Sequence, residues 1–205
     1  MTKIKLCGLT RPIDIQTANE LRPDYIGFVF YQGSRRNLSP KQAASLKAKL
    51  DPAIKAVGVF VDEAPERIAV LLGEGVIDIA QLHGNENIDY IKRLRELTDK
   101  PLIKAFRMDK PGSCVLAEQY PSDLLLLDSG MGSGETFDWS AVAGVGRPYF
   151  LAGGLDAGNV SAAIRALHPF AVDVSSGVET DGFKDSRKMA AFVAAVREED
   201  LNDES

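Results

Sequence analysis

A closed parallel barrel of eight strand–helix units, the (β/α)8 or TIM barrel, is the fold this 205-residue sequence predicts. Eight short aliphatic and β-branched segments recur along the chain, spaced by roughly 22 to 24 residues with one interval of about 31, which suits a strand, a helix and two short loops. Stretches with helical periodicity lie between them. The segments are apolar on both faces rather than alternating, as expected of parallel strands covered on both sides. An open doubly wound sheet is the rival arrangement, but it rarely needs eight such even units, and the glycine fingerprint expected after its first strand is absent.

In chain order, "KIKLC" ends at Cys7 and "YIGFVF" at Phe30. The next helix has a clear start signal, Ser39-Pro40-Lys41-Gln42, with an N-cap serine, proline at the first helical position and glutamine at the third. "AVGVFV" ends at Val61, "DIAQLH" at His83, "LIKAF" at Phe106 and "LLLLD" at Asp128. "YFLAGG" ends near Ala152 and leads to a helix with the stripe Val160, Ala163, Ile164 and Leu167. "AVDVSS" ends at Ser175, and a last helix follows with the stripe Met189, Phe192, Val193 and Val196. The expected organisation is one barrel domain over 1–198 and an acidic, frayed tail over 199–205, with no linker and no second domain.

Composition narrows the function. Apolar residues make up 45% of the chain, enough for a substantial core, and no tract is low in complexity. A net charge of -5 argues against a nucleic-acid surface. Cys7 and Cys114 lie far apart in neither a disulfide-like nor a ligand-like pattern, which predicts free thiols in a reducing cytoplasm. No apolar run approaches the roughly 20 residues that span a bilayer, and "MTK" leads straight into a strand without a signal peptide. A cytoplasmic enzyme is expected, with no nucleic-acid, membrane or obligate protein partner.

Barrel chemistry sits where strands end, in the βα loops. Gly153-Gly154 after strand seven and Ser175-Ser176-Gly177 after strand eight stand where this fold usually holds a phosphate, because glycine lets backbone N–H groups approach an anion closely. A Gly-Gly pair alone can equally be a tight turn; two such loops at the two expected positions favour phosphate. Cys7 and Asp128 end strands one and six, three apart around a ring of eight, so their side chains can face one another across a substrate. A lone strand-end cysteine is more commonly a small buried hydrophobe, and a loop carboxylate a cap. Four leucines before Asp128 suggest partial burial, which would favour its protonated form. Arg35 and Arg36 in "YQGSRRNLS" overhang the expected barrel mouth. His83 is either a titrating group or a hydrogen-bonded strand end. Gly130–Gly134, "GMGSG", reads as a lid-like loop without the lysine of a nucleotide-binding loop.

"KLCGLT", "GFVFYQGSRRNLSP", "VGVFV", "QLHG", "KAF", "LLLD" with "SGETFDW", "LAGGL" with "NV", and "VDVSSGVE" with "GFKD" appear in order from about Lys3 to Lys188. Together they resemble the phosphoribosylanthranilate isomerases of tryptophan biosynthesis. Leu6 stands where that family often has isoleucine, and Glu135 where it often has lysine. The resemblance implies an Amadori rearrangement of N-(5-phosphoribosyl)anthranilate, a small-molecule phosphoribosyl substrate, with no cofactor and no metal. It further implies Cys7 as general base, Asp128 as general acid and Arg36, in a serine-x-arginine motif with Ser34, as the holder of the anthranilate carboxylate. Thr10 and Arg11 are the polar neighbours expected to bias the Cys7 thiol towards ionisation. Three rivals stand beside this reading. A histidine-biosynthesis isomerase would be expected to carry a carboxylate in place of Cys7. A Schiff-base lyase would use Lys104. A catalytically dead phosphate-binding barrel would lack the activity altogether.

Overall fold

The computed structural model describes residues 1–108, 113–128, 142 and 145–203. The Gly130–Gly134 run and Glu135 lie outside the described residues, as does the stretch expected to hold the helix after strand six. Eight parallel strands close into a barrel in sequence order: β1 Lys3–Cys7, β2 Tyr25–Val29, β3 Lys55–Phe60, β4 Ile79–Leu82, β5 Leu102–Arg107, β6 Leu124–Asp128, β7 Tyr149–Ala152 and β8 Ala171–Val174. Each ends within one residue of its expected position. Closure is made by β1 against β8, where Lys5 pairs in register with Asp173.

The helices are α1 Pro12–Leu21, α2 Pro40–Lys47, α3 Pro65–Gly73, α4 Ile88–Arg95, α5 Ser113–Glu118, α6 Val160–Leu167 and α7 Ser186–Asp203. The predicted capping box forms on α2: the Gln42 N–H donates to Ser39 Oγ at 3.3 Å, and the Ser39 N–H donates to Gln42 Oε1 at 2.9 Å. Two backbone donors at a helix start are thereby satisfied by one side-chain pair. Both predicted stripes face the core, with Val160, Ala163 and Ile164 buried on α6 and Met189, Phe192, Val193 and Val196 buried on α7. Among the described residues no helix is long and apolar enough to cross a membrane.

The tail differs from expectation. Helix α7 continues to Asp203, and Glu199 and Asp200 are buried rather than frayed. Asp200 accepts the Thr2 N–H at 2.8 Å and the Thr2 hydroxyl at 2.9 Å, while Glu199 pairs with Arg165 of α6. An acidic run reads as a solvated end, yet here its carboxylates find partners from the first residues of the chain and from a neighbouring helix.

Strand alternation sorts side chains to the two faces of the barrel wall. One set packs outward under the helices. The other fills the interior, where Val57, Ile79, Ile103, Ala105, Leu126, Phe150, Ala152 and Ala171 form an apolar plug. Tyr25 and Phe170 meet Phe150 edge to face, with ring centroids 5.2 and 5.8 Å away. Fully burying one such ring contributes roughly 1.5–3 kcal/mol. The floor is therefore filled, and the interior opens at the C-terminal ends of the strands.

Candidate active site

The open end holds a cleft of about 520 Å³, lined among others by Cys7, Arg36, His83, Asp128, Gly153, Gly154, Ser175 and Ser176. Inward parity puts Cys7 and Asp128 there: Leu124 and Leu126 precede Asp128 on the inner face, and Lys5 precedes Cys7. Cys7 is buried beside Val29 and Val59. A Cβ at Gly27 would come within 2.6 Å of its sulfur, so the bare glycine of β2 makes room for the thiol.

Burial is the largest influence on Cys7 and pushes the thiol above its ordinary range; Lys5 and Lys184 pull it back, and Asp173 adds to the rise. Thr10 and Arg11, the expected activators, are engaged elsewhere. Gly8, with φ of +81°, turns the chain after β1, and the N–H groups of Thr10 and Arg11 both donate to Asp14 at 2.9 Å. The Arg11 guanidinium spans Asp14 and the Lys184 carbonyl. These two residues cap α1 rather than serve the thiol.

Asp128 stands against His83, with Nε2 to Oδ2 at 3.4 Å, and the other ring nitrogen of His83 meets Gln81 Nε2 at 2.9 Å. The His83 ring therefore bridges Gln81 and the Asp128 carboxylate through its two nitrogens. His83 is thus both a strand-end hydrogen-bonding residue and a neighbour of the expected acid.

Arg36 reaches the cleft, but its fork is engaged by Glu179: Nε donates to Oε1 at 2.6 Å and one Nη to Oε2 at 2.8 Å. Arg35 and Lys184 donate to the same carboxylate at 2.6 and 2.8 Å. Burial alone would raise Glu179, but the hydrogen bonds and charges of Arg36 and Lys184 outweigh it and hold the carboxyl down to about 2. Three cations around one anion leave this corner of an acidic protein locally positive.

The two loops expected to bind phosphate meet at the rim. Gly153 and Gly154 have φ of +96° and +63° and line the cleft with Ser175 and Ser176. Gly177 does not line it. A Cβ there would sit 1.9 Å from the Leu155 carbonyl oxygen, so this glycine lets the loop after β8 press against the loop after β7. Lys184, from the short hairpin of Glu179–Thr180 with Phe183–Lys184, donates to the Ser175 carbonyl at 2.8 Å.

Sequence reasoning missed Gln81, Arg107, Asp173, Glu179 and Lys184. Arg107 ends β5 and could have been found by the strand-end rule. Asp173 lies two residues before Ser175 on the same strand face. Glu179 and Lys184 sit beyond β8, where no periodicity signals them.

Lys104 points outward. Ile103 and Ala105 face the interior, and the Lys104 ammonium donates to the carbonyls of Leu82 and Gly84 and to Glu86, the last at 3.0 Å. An amine held by three acceptors outside the barrel lumen is not placed to attack a carbonyl in the cleft, which removes the Schiff-base reading.

A closed parallel barrel carrying a thiol, a carboxylate and cations at its C-terminal mouth defines a (β/α)8-barrel enzyme. The profile of the N-(5'-phosphoribosyl)anthranilate isomerase family matches residues 4–195. A curated N-(5'-phosphoribosyl)anthranilate isomerase from Thermoanaerobacter sp. (strain X514) is 42% identical, over 96% of this chain and 98% of that protein. The crystal structure of the Thermotoga maritima phosphoribosyl anthranilate isomerase superposes with a TM-score of 0.87 at 36% identity, covering 97% of this chain and 100% of the other. A second solved relative has the same identity and coverage and a TM-score of 0.86; it is in complex with reduced 1-(o-carboxyphenylamino)-1-deoxyribulose 5-phosphate. The chain belongs to the N-(5'-phosphoribosyl)anthranilate isomerase family, and its activity is that of an isomerase of tryptophan biosynthesis.

Proposed function

We propose that the cleft converts N-(5-phosphoribosyl)anthranilate into 1-(2-carboxyphenylamino)-1-deoxyribulose 5-phosphate, with Cys7 as general base and Asp128 as general acid. The observation that carries this reading is that strand ends three apart around the ring bring a thiol and a carboxylate into one cleft, bracketed by Arg36 and by the glycine and serine loops after β7 and β8. The relative solved with a reduced carboxyphenylamino-deoxyribulose phosphate supports the substrate class.

Asp128 gives a proton to the ribose ring oxygen, and the C1'–O bond breaks as the anilino nitrogen forms the Schiff base. The Cys7 thiolate then takes the C2' proton; its electron pair moves into the C–C bond and the iminium electrons return to nitrogen. The enolamine tautomerises to the aminoketose, so atoms and electrons balance without a redox partner. His83 stands against Asp128 and helps place its carboxyl. The cytoplasm is the compartment in which such a free thiol stays reduced. The direct test is turnover of N-(5-phosphoribosyl)anthranilate by the purified protein; no turnover would leave the phosphate-binding barrel as the reading.

At the phosphate end, Gly153, Gly154, Ser175 and Ser176 hold the anion, and Gly177 supports them by letting the two loops meet. Aspartate tolerates left-handed backbone better than most residues, so Gly154→Asp tests charge more than strain. Inorganic phosphate should inhibit the wild-type enzyme competitively and this variant far less. Equal inhibition of both would place the phosphate elsewhere.

At the anthranilate end, Glu179 occupies one edge of the Arg36 fork and leaves the remaining terminal nitrogen to donate to the substrate carboxylate. Arg36→Met keeps much of the apolar stem, and Glu179 retains Arg35 and Lys184 as partners. A lost charged hydrogen bond costs roughly 1.5–3 kcal/mol, a 10- to 150-fold rise in KM if the contact is equal in ground and transition states. The wild type should prefer the anthranilate over the aniline form of the ligand and the variant should not. The same preference in both would pass the role to Arg35.

A further inference from the structure

Directly beneath Cys7, two residues earlier on the same strand face, the barrel holds a charged pair with no evident packing purpose. Lys5 has no exposed surface, and its ammonium donates to Asp173 Oδ1 at 2.9 Å across the β1–β8 seam. Its charge also acts on the Cys7 sulfur, which lies two residues further along the same inward face. The interior below is the apolar plug of aliphatic and aromatic side chains, in which an ion pair is expensive to desolvate and is often no more stabilising than hydrophobic residues of similar volume. Burial pushes Lys5 towards its neutral form, but Asp173 and the Cys7 sulfur together outweigh it, so the amine stays charged. Asp173 itself lines the cleft.

We propose that the Lys5–Asp173 pair is the positioning device for the base: the Lys5 ammonium supplies the counter-charge that stabilises the Cys7 thiolate, and Asp173 fixes that ammonium while tempering its pull. The inference rests on Cys7 being the base. The other charges that face the sulfur are Lys184, from the hairpin after β8, and Arg36, from the loop after β2. Both are tied to Glu179 as Lys5 is tied to Asp173, so it is burial and placement that set the three cations apart. Lys5 alone among these cations combines full burial with a place on the same strand and the same face as the sulfur. In that surrounding a charge a few ångströms away acts with little screening.

The test is thiolate absorbance at 240 nm against pH, read as the difference between each protein and its Cys7→Ser counterpart so that Cys114 cancels. Lys5→Met should move the Cys7 titration to higher pH, lowering the thiolate fraction at a fixed pH below the midpoint by roughly tenfold or more. Asp173→Asn should move it the other way, since it removes the anion that opposes the thiolate. The double variant Lys5→Met/Asp173→Asn removes both charges and keeps the test decisive if the single lysine variant folds poorly. Its titration should lie above the wild type, because the pull of Lys5 on the thiolate is larger than the opposing push of Asp173. The limb of the kcat/KM profile that belongs to the thiol should move with it in each case, a response that a purely structural pair would not produce. Unmoved titrations in Lys5→Met and in the double variant would overturn the proposal. Shifted titrations together with a fully active Cys7→Ala enzyme would uphold the electrostatic pairing and remove Cys7 as the base, so the two failures are distinguishable.

Discussion

Cys7→Ala should lower kcat by about two to four orders of magnitude, the usual worth of a positioned acid–base group, with little change in KM. The reason lies in what surrounds the sulfur. Among the described residues no other thiol lines the cleft, and the anions nearby, Asp173 and Asp128, belong to the Lys5 pair and to the side of the site proposed to donate the proton. With Cys7 as the proposed base, alanine would remove the acceptor for the C2' proton and leave the proposed anchors at both ends of the substrate in place, so binding should survive while proton abstraction should not. The pH dependence has a definite sign. Burial holds the thiol above its ordinary range, and turnover needs the thiolate together with a protonated acid, so the wild-type profile should be bell-shaped with one limb from each group. In Cys7→Ala only the acid remains, so the rising limb should disappear and the residual rate should only fall as pH rises. Steady-state kinetics from about pH 5 to 9.5 checks both points. Turnover within a few-fold of wild type would make the thiol structural.

Asp128→Asn should cost a similar factor in kcat. The amide keeps the shape of the side chain and can still meet His83, but it has no proton to give to the ring oxygen, so ring opening loses its acid. The residual rate then depends on the thiolate alone. Where the wild type falls at alkaline pH, this variant should keep rising until the Cys7 titration is complete. The disappearance of the falling limb separates loss of the acid from general damage, which would lower the whole profile without changing its form. A variant whose profile keeps the wild-type shape would remove Asp128 from the mechanism. Thermal melting of both proteins should stay near the wild type, because each substitution is small and lies at the open mouth rather than in the interior plug.

How much of this was readable in the chain depends on whether neighbours in sequence or neighbours in space decide the feature. The strands were legible because aliphatic runs of the right length between helical stripes leave few alternatives, and each ends within one residue of where the sequence places it. The α2 capping box was legible because all four of its residues are consecutive. The strand-end rule then brought Cys7, His83, Asp128, Gly153, Gly154 and Ser175 to one cleft without any knowledge of contacts.

The electrostatics of that cleft were not legible. Sequence proximity pointed to Thr10 and Arg11 as neighbours of the thiol, but the turn at Gly8 hands them to Asp14, and the groups that set the thiol are Lys5, Asp173 and Lys184. Arg36 read as an open fork, yet a glutamate 143 positions away grips it. The acidic end read as frayed, yet Asp200 holds the N–H of Thr2 across 198 positions. Periodicity by itself determined the barrel, its strand ends and hence part of the roster of the cleft, because backbone pleat and helical repeat are local properties of the chain. Only the tertiary structure decided which charge faces which, because closing β1 onto β8 brings together residues 168 apart, and a buried charge answers to whatever lies within a few ångströms.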